Sequence, residues 1–167
     1  MQEAEADAAP FLRSALGHAC DRDTLTRHLN DYLDIRRFKD AAYNGLQVSG
    51  KSTVSYVVAG VTANKALIDG AVGVGADAIL VHHGLFWKGD DPRLVGYHRE
   101  RVASLLAANI SLYAYHLPLD VHSEVGNNAR LGRRLGLTCT ETAGENGLIS
   151  LGQLGVGVAV KSTVLAA

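Results

Sequence analysis

The stretch Ile79-Leu80-Val81-His82-His83-Gly84-Leu85-Phe86-Trp87 constrains this chain more than any other. A short apolar run reads as a buried strand. Here it ends in two adjacent histidines, followed at once by a glycine and two aromatics. Buried strands of α/β domains deliver functional residues at their carboxyl ends. On a regular strand neighbouring side chains point to opposite faces. The two imidazoles therefore converge only where the strand gives way to a loop, or else they serve two different ions. Gly84 fits such a departure, because glycine lets the backbone turn sharply.

The rest of the chain supplies partners for that strand. Leu25, Leu29, Tyr32 and Leu33 recur at helical spacing behind a cap at Asp21 or Asp23. Residues 38–48 read as irregular, with an Asn44-Gly45 turn signal. Residues 54–61 are β-branched and predict a strand. A helix is predicted over 64–74, a strand over 78–82, a loop over 83–92 and a helix near 97–108. A third strand is predicted over 110–116, then a loop over 117–126 opened by Pro118, then a helix over 127–135. A helix followed by β-α-β-α-β-α predicts an α/β fold, with a parallel-rich sheet flanked by helices and right-handed crossovers. Coverage of both faces suits the near-continuous apolar strands. After Leu137 the pattern weakens, with strand character only at 148–151 and 156–160. The expected division is a flexible segment over 1–20, an α/β metal-binding lobe over 21–152 and a tail of uncertain structure over 153–167.

His83 and His116 are one βαβ length apart, so the two strand ends are expected side by side. The second carries His116-Leu117-Pro118-Leu119-Asp120, then His122. Pro118 argues against one helical face for His116 and Asp120 and places both in a turn at the rim. Four imidazoles and a carboxylate thus gather at one edge. Imidazole and carboxylate suit zinc, manganese, iron or nickel. A carboxylate can also bridge two ions, and a pair of ions can activate water and clamp a reacting group. The bland readings stand beside this one. The His82-His83 pair alone reads equally as a polar strand end and as a ligand pair; His116 and Asp120 tip it toward metal. His98 or His122 alone reads as a hydrogen-bonded polar residue. Phe86 and Trp87 read as a packed rim rather than a substrate platform. Asn127 and Asn128 suit helix capping as well as ligand contact, and His18 and His28 read as surface residues.

Composition removes other classes. A net charge of −1, with signs mixed along 167 residues, lacks the basic face that nucleic acid or an anionic membrane needs. Arg36-Arg37 and Arg133-Arg134 read as solvated pairs. Cys20 and Cys139 are distant and outside any Cys-x-x-Cys pair, which argues against a disulfide framework and for a reducing cytoplasm. The first ten residues lack the order of a signal peptide. The apolar tract at 154–160 is broken by glycine and too short to span a bilayer. Phosphate-loop, nucleophile-elbow, His-Glu-x-x-His and dinucleotide signatures are absent.

Four motifs then occur in order: Asn44-Gly45-Leu46-Gln47-Val48; Val81 to Trp87; Tyr113-Ala114-Tyr115-His116-Leu117-Pro118-Leu119-Asp120; and Gly126-Asn127-Asn128. Together they resemble the family of GTP cyclohydrolase 1 type 2 homologs, also called NGG-interacting-factor-three-like dinuclear metal proteins. The resemblance covers residues 25–151. It implies the N-terminal lobe of a two-lobed α/β protein that assembles as a toroidal hexamer, with two divalent cations per subunit facing the interior. It implies that His82, His83 and Asp120 are metal ligands, Asp120 a candidate bridge, and His116 a second-shell or acid-base residue. The family's second lobe supplies further ligands through a His-x-x-x-Glu motif, and nothing after Asp120 matches it. The sequence reading is therefore a truncated or frameshifted product, with a natural short form as the alternative.

Two functions follow. One is a metal-dependent hydrolase acting on a nucleotide or related small molecule. The alternative is a non-catalytic metal-binding scaffold or interaction protein. Nucleic-acid binding through a hexameric hole is a third, which the near-neutral charge disfavours.

Overall fold

The computed structural model describes residues 19–154 and 165–166. The readings placed on 1–18, including His18, and on the weak strand at 156–160 lie outside the described residues. The observed elements are β1 (Cys20–Asp21), α1 (Arg22–Tyr32), β2 (Gly45–Val48), β3 (Thr53–Val54), β4 (Val57–Thr62), α2 (Lys65–Gly73) and β5 (Ala78–His83). They continue with α3 (Gly96–Ala108), β6 (Ser111–Ala114), α4 (Leu117–Val121), α5 (Asn127–Arg134), β7 (Leu137–Ala143), β8 (Ile149–Leu154) and β9 (Leu165–Ala166).

The main sheet has the order β2-β6-β5-β4. β4, β5 and β6 are parallel, and β2 lies antiparallel on β6. This is the expected α/β fold with a parallel-rich sheet. β5 and β6 alternate strictly between two cores. Ile79, Val81, Leu112 and Ala114 join Ile68 and Ala71 of α2 and Val102 and Leu105 of α3. Ala78, Tyr113 and Tyr115 face the other way, onto Leu25 and Leu29 of α1. A strand buried on both faces carries apolar residues at every position, which explains the continuous run. Buried tyrosines need partners for their hydroxyls. Tyr113 Oη donates to the Arg22 carbonyl at 3.1 Å, and Tyr115 Oη to Asn30 Oδ1 at 2.9 Å, so both pin α1 to the sheet.

Local chemistry sets the helix ends. Asp21 accepts from the Thr24 amide at 2.9 Å, and Asn64 from the Leu67 amide at 2.9 Å. Several expectations need correction. Residues 38–48 are not wholly irregular: Gly45, at φ +111°, opens the edge strand β2. The strand expected over 54–61 is two strands, because β3 leaves the main sheet to pair with β1. The loop expected over 117–126 contains α4. Pro118 sits in its first turn, where amides have no intrahelical partner and a missing N–H costs nothing. β7 was not foreseen; its Thr-Cys-Thr-Glu-Thr centre is exposed and lacks apolar alternation. It pairs with β8 and β9 in a separate antiparallel sheet. Among the described residues no helix is long and apolar enough to cross a membrane.

Asp77, just before β5, ties the strand to its neighbours. Its carboxylate takes Lys51 Nζ at 2.7 Å and the Ser55 and Tyr56 amides at 2.9 and 3.1 Å. Burial by itself raises its pKa; the Lys51 hydrogen bond and the two amides outweigh it and hold the carboxyl below its ordinary value. A depressed carboxyl pKa stabilises the fold above the unfolded value, about 3.9, and that stabilisation is lost as the pH falls through the lower folded-state value. Asp77→Ala is expected to cost about 1–3 kcal/mol in urea denaturation at neutral pH. The deficit relative to the parent should shrink as the pH is lowered below about 4. A deficit independent of pH would contradict this role.

Candidate metal centre

β5 pairs with β6 only as far as Val81 opposite Ala114, whereas its pairing with β4 runs on to His83 opposite Thr62. The strand end is therefore held on one side and released on the other. His82 leans toward β6, where its Nδ1 lies 3.1 Å from the Tyr115 carbonyl. His83 Nδ1 lies 3.3 Å from Thr62 Oγ1 on the β4 side. Although successive in sequence, the two rings stand with centroids 4.4 Å apart. The expected convergence is thus achieved at the strand end itself.

His116, at the N-cap of α4, completes a cluster. Its ring centroid is 5.0 Å from His82 and 5.6 Å from His83. One ring nitrogen from each of the three histidines lies within 4.8 Å of the others. Asp120, 2% exposed, is carried by α4, where its amide and that of Leu119 both donate to the His116 carbonyl. His116 and Asp120 thus occupy one helical turn, contrary to the reading of Pro118. Asp120 Oδ1 lies 3.5 Å from His82 Nε2 and accepts Asn127 Nδ2 at 2.8 Å.

The donor chemistry fits a cation. A carbonyl oxygen only accepts, so His82 Nδ1 is the protonated nitrogen. That leaves Nε2 on the side of the buried Asp120 carboxylate, so in the neutral tautomer an imidazole nitrogen and a carboxylate oxygen stand together as a pair of donors suited to one cation. Burial, then the neighbouring His82 and His116, lower the His83 pKa against the opposing pull of Asp120, which favours the neutral, ligand-competent imidazole. These groups, with Leu117, Asn127, Asn128 and Leu131, line a cavity of about 340 Å³.

Not every candidate joins it. His122 turns away: its Nδ1 accepts the Glu124 and Val125 amides at 3.2 and 3.3 Å, and its ring packs on Tyr32 at 4.4 Å. The expected set of four imidazoles is therefore three. His98 packs edge-on to Phe86 and leaves a buried Nε2 without a partner among the described residues. His28 is exposed beside Tyr32. Neither asparagine caps α5; Asn127 serves Asp120, and Asn128 donates to the Leu148 carbonyl at 2.8 Å.

Three further residues stand near the site, of which Trp87 and Gln47 lie in the sequence motifs and Asp40 carries no sequence signal. Trp87 packs beside the cluster, its ring 5.0 Å from that of His116 and 6.0 Å from that of His83. Gln47 Oε1 accepts the Leu85 and Phe86 amides at 2.8 and 3.3 Å, clamping the segment after the histidines. Asp40 holds His116 Nδ1 at 2.9 Å. The Asn44-Gly45-Leu46-Gln47 motif was a signal for the second of these, since it contains Gln47. Gly84 leaves the space for the clamp: a Cβ there would fall on Gln47 Oε1 and 2.6 Å from the Ala114 Cβ. Gly84→Ala is expected to cost about 1–3 kcal/mol in thermal or urea unfolding through overpacking. Unchanged stability would show that the clamp yields freely.

The profile of the family described as Duf34/NIF3 (NGG1p interacting factor 3) matches residues 20–166. The chain is 54% identical over 131 residues to a GTP cyclohydrolase 1 type 2 homolog of Allochromatium vinosum, covering 78% of this chain and 52% of that protein. It is 54% identical over 114 residues to the Escherichia coli protein of the same name, covering 68% and 46%. The chain spans about half the length of the curated relatives it matches. Among solved structures, the ybgI protein, described as of unknown function, superposes with a TM-score of 0.78 at 47% identity, covering 81% of this chain and 54% of that one. Reduced HcgD of Methanocaldococcus jannaschii, at 20% identity and a TM-score of 0.71, shares the fold over 81% of this chain and 54% of its own.

Proposed function

From the premise that the chain belongs to the Duf34/NIF3 family, we propose that it forms the divalent-metal-binding lobe of a metal-dependent hydrolase acting on a nucleotide or related small molecule. The observation that carries this reading is the convergence of His82, His83 and His116 beside the buried Asp120. The name of the curated relatives, GTP cyclohydrolase 1 type 2 homolog, supports the substrate class.

His82, His83 and Asp120 would hold the cation, with His116 as a further ligand or as the proton-transfer group. A divalent cation would supply Lewis-acid polarisation and the acidification of water that hydrolysis at neutral pH requires. The residues divide the remaining work. His116 offers the ring nitrogen not used by Asp40 as a proton acceptor and later donor. Asn127 orients the Asp120 carboxylate. Leu131 lines the cavity, and Trp87 stands edge-on to the His116 ring. Asp120, whose second oxygen has no hydrogen-bond partner among the described residues, would be the carboxylate able to serve two cations. The homo-oligomeric assembly, hexameric by the family resemblance, belongs to the same proposal, and exposed Leu94, Val95 and Tyr97 offer apolar surface for it. The free, exposed Cys20 and Cys139 suit a reducing, cytoplasmic setting.

Metal analysis of the purified chain, followed by hydrolysis assays on GTP and a nucleotide panel with His83→Ala as control, tests the proposal. The expected result is stoichiometric divalent metal and turnover that His83→Ala lowers by about 100-fold or more. Absence of stoichiometric metal would overturn the metal reading. Bound metal without turnover on any nucleotide would favour the scaffold over the enzyme.

A further inference from the structure

The loop before β2 contains a carboxylate whose every contact serves the metal cavity. Asp40 is 5% exposed. Its Oδ1 accepts the Ala42 amide at 3.0 Å and faces His116 Nδ1 at 2.9 Å. Its Oδ2 accepts the Leu117 amide at 2.9 Å and Asn44 Nδ2 at 2.9 Å. Asn44 closes the ring of contacts, because its Oδ1 accepts the His116 amide at 2.7 Å. The loop is itself docked onto the segment after the histidines. Ala42 bridges Trp87, the Lys88 amide donates to the Ala41 carbonyl at 2.7 Å, and Lys88 Nζ donates to the Asp40 carbonyl at 2.6 Å.

This arrangement fixes more than a position. A carboxylate accepting three N–H donors is ionised and has no proton to give. Burial raises the Asp40 pKa, but the hydrogen bonds from Asn44 and His116 and from the Ala42 and Leu117 amides outweigh burial and keep the carboxyl below its ordinary value. The proton between the two side chains therefore resides on His116 Nδ1. In the neutral ring Nε2 is then the unprotonated nitrogen. An imidazole in water prefers the opposite tautomer, with the proton on Nε2, which would blunt the ring as a ligand or base.

We propose that Asp40 is the positioning residue for His116: by accepting the Nδ1 proton, its buried carboxylate fixes the tautomer and ring plane that offer Nε2 to the His82–His83 cluster. The inference rests on the metal-centre reading for its purpose, but not for its geometry. His82 follows the same logic with the Tyr115 carbonyl in place of a carboxylate.

The test begins on the metal-free full chain with 15N-labelled histidine, in mildly alkaline solution where imidazole is neutral. Long-range 1H–15N spectra are expected to show His116 protonated at Nδ1 in the parent and shifted toward the Nε2-protonated form in Asp40→Ala. Zinc titration is expected to show affinity lowered about 10–100-fold in Asp40→Ala. In a His116→Ala background the same substitution should change zinc affinity by no more than about twofold, because its route of action is gone. Asp40→Asn, which keeps the size and an acceptor oxygen, replaces Asp40→Ala in the same cycle if the alanine variant does not fold. An Nε2-protonated His116 in the parent would overturn the inference. So would an equal loss of zinc affinity with and without His116, the mark of a merely structural residue. If the parent binds no zinc, the metal-centre reading fails, while the tautomer of His116 still decides this inference.

Discussion

The pairing of β5 with β6 ends at Val81, while the pairing with β4 continues to His83. This staggered release is the constraint on which the site depends. Up to Val81 the strand is locked on both sides and its side chains alternate between two cores. Beyond it, one flank is open, and the next two side chains can lean over the sheet edge instead of diverging across it. The core fixes the height of that edge. Tyr115 and Ala114 bring β6 to the same level, so the next residue, His116, arrives beside His82 with ring centroids 5.0 Å apart. The candidate cavity lies where β6 ends at Ala114 while β5 runs on to His83, at the carboxyl edge of the parallel strands.

Around that edge the polar groups are ordered so that each imidazole uses its Nδ1 away from the centre. His82 meets the Tyr115 carbonyl, His83 the Thr62 hydroxyl and His116 the Asp40 carboxylate. The remaining nitrogens are left to the cavity. The Tyr115 carbonyl and the Asp40 carboxylate only accept, so they favour a proton on the Nδ1 they face, while the Thr62 hydroxyl can donate or accept and orients the His83 ring. Gln47 performs a related task for the backbone, holding the Leu85 and Phe86 amides so that the chain leaves the strand at Gly84 and brings the Trp87 ring to 5.0 Å from that of His116.

The sequence made the centre of this account legible and left its margins dark, for physical reasons. A doubly buried strand advertises itself through an unbroken apolar run, so β5 and β6 and the chemistry at their ends could be read directly. The helices α2 and α3 carried periodic apolar faces. Pro118 misled because proline forbids a helix interior but not its first turn, and the distinction depends on where the helix begins. β7 was hidden because an exposed antiparallel strand needs no apolar alternation. Asp40 was invisible for a different reason. It lies 76 residues from the histidine it holds, in a loop without periodicity, and only the fold brings the two together. His122 shows the converse: it is close in sequence to Asp120, yet two amides and Tyr32 keep it out.

The central claim is that His82, His83 and Asp120 together hold a divalent cation beside His116. X-ray absorption at the zinc edge, on the chain loaded with one equivalent of zinc, addresses it most directly. The account predicts a first shell of nitrogen and oxygen at about 2.0–2.1 Å with the outer-shell scattering of at least two imidazole rings, altered when His82, His83 or Asp120 is replaced by alanine. A shell of oxygen scatterers alone, or a spectrum indifferent to those three substitutions, would contradict it.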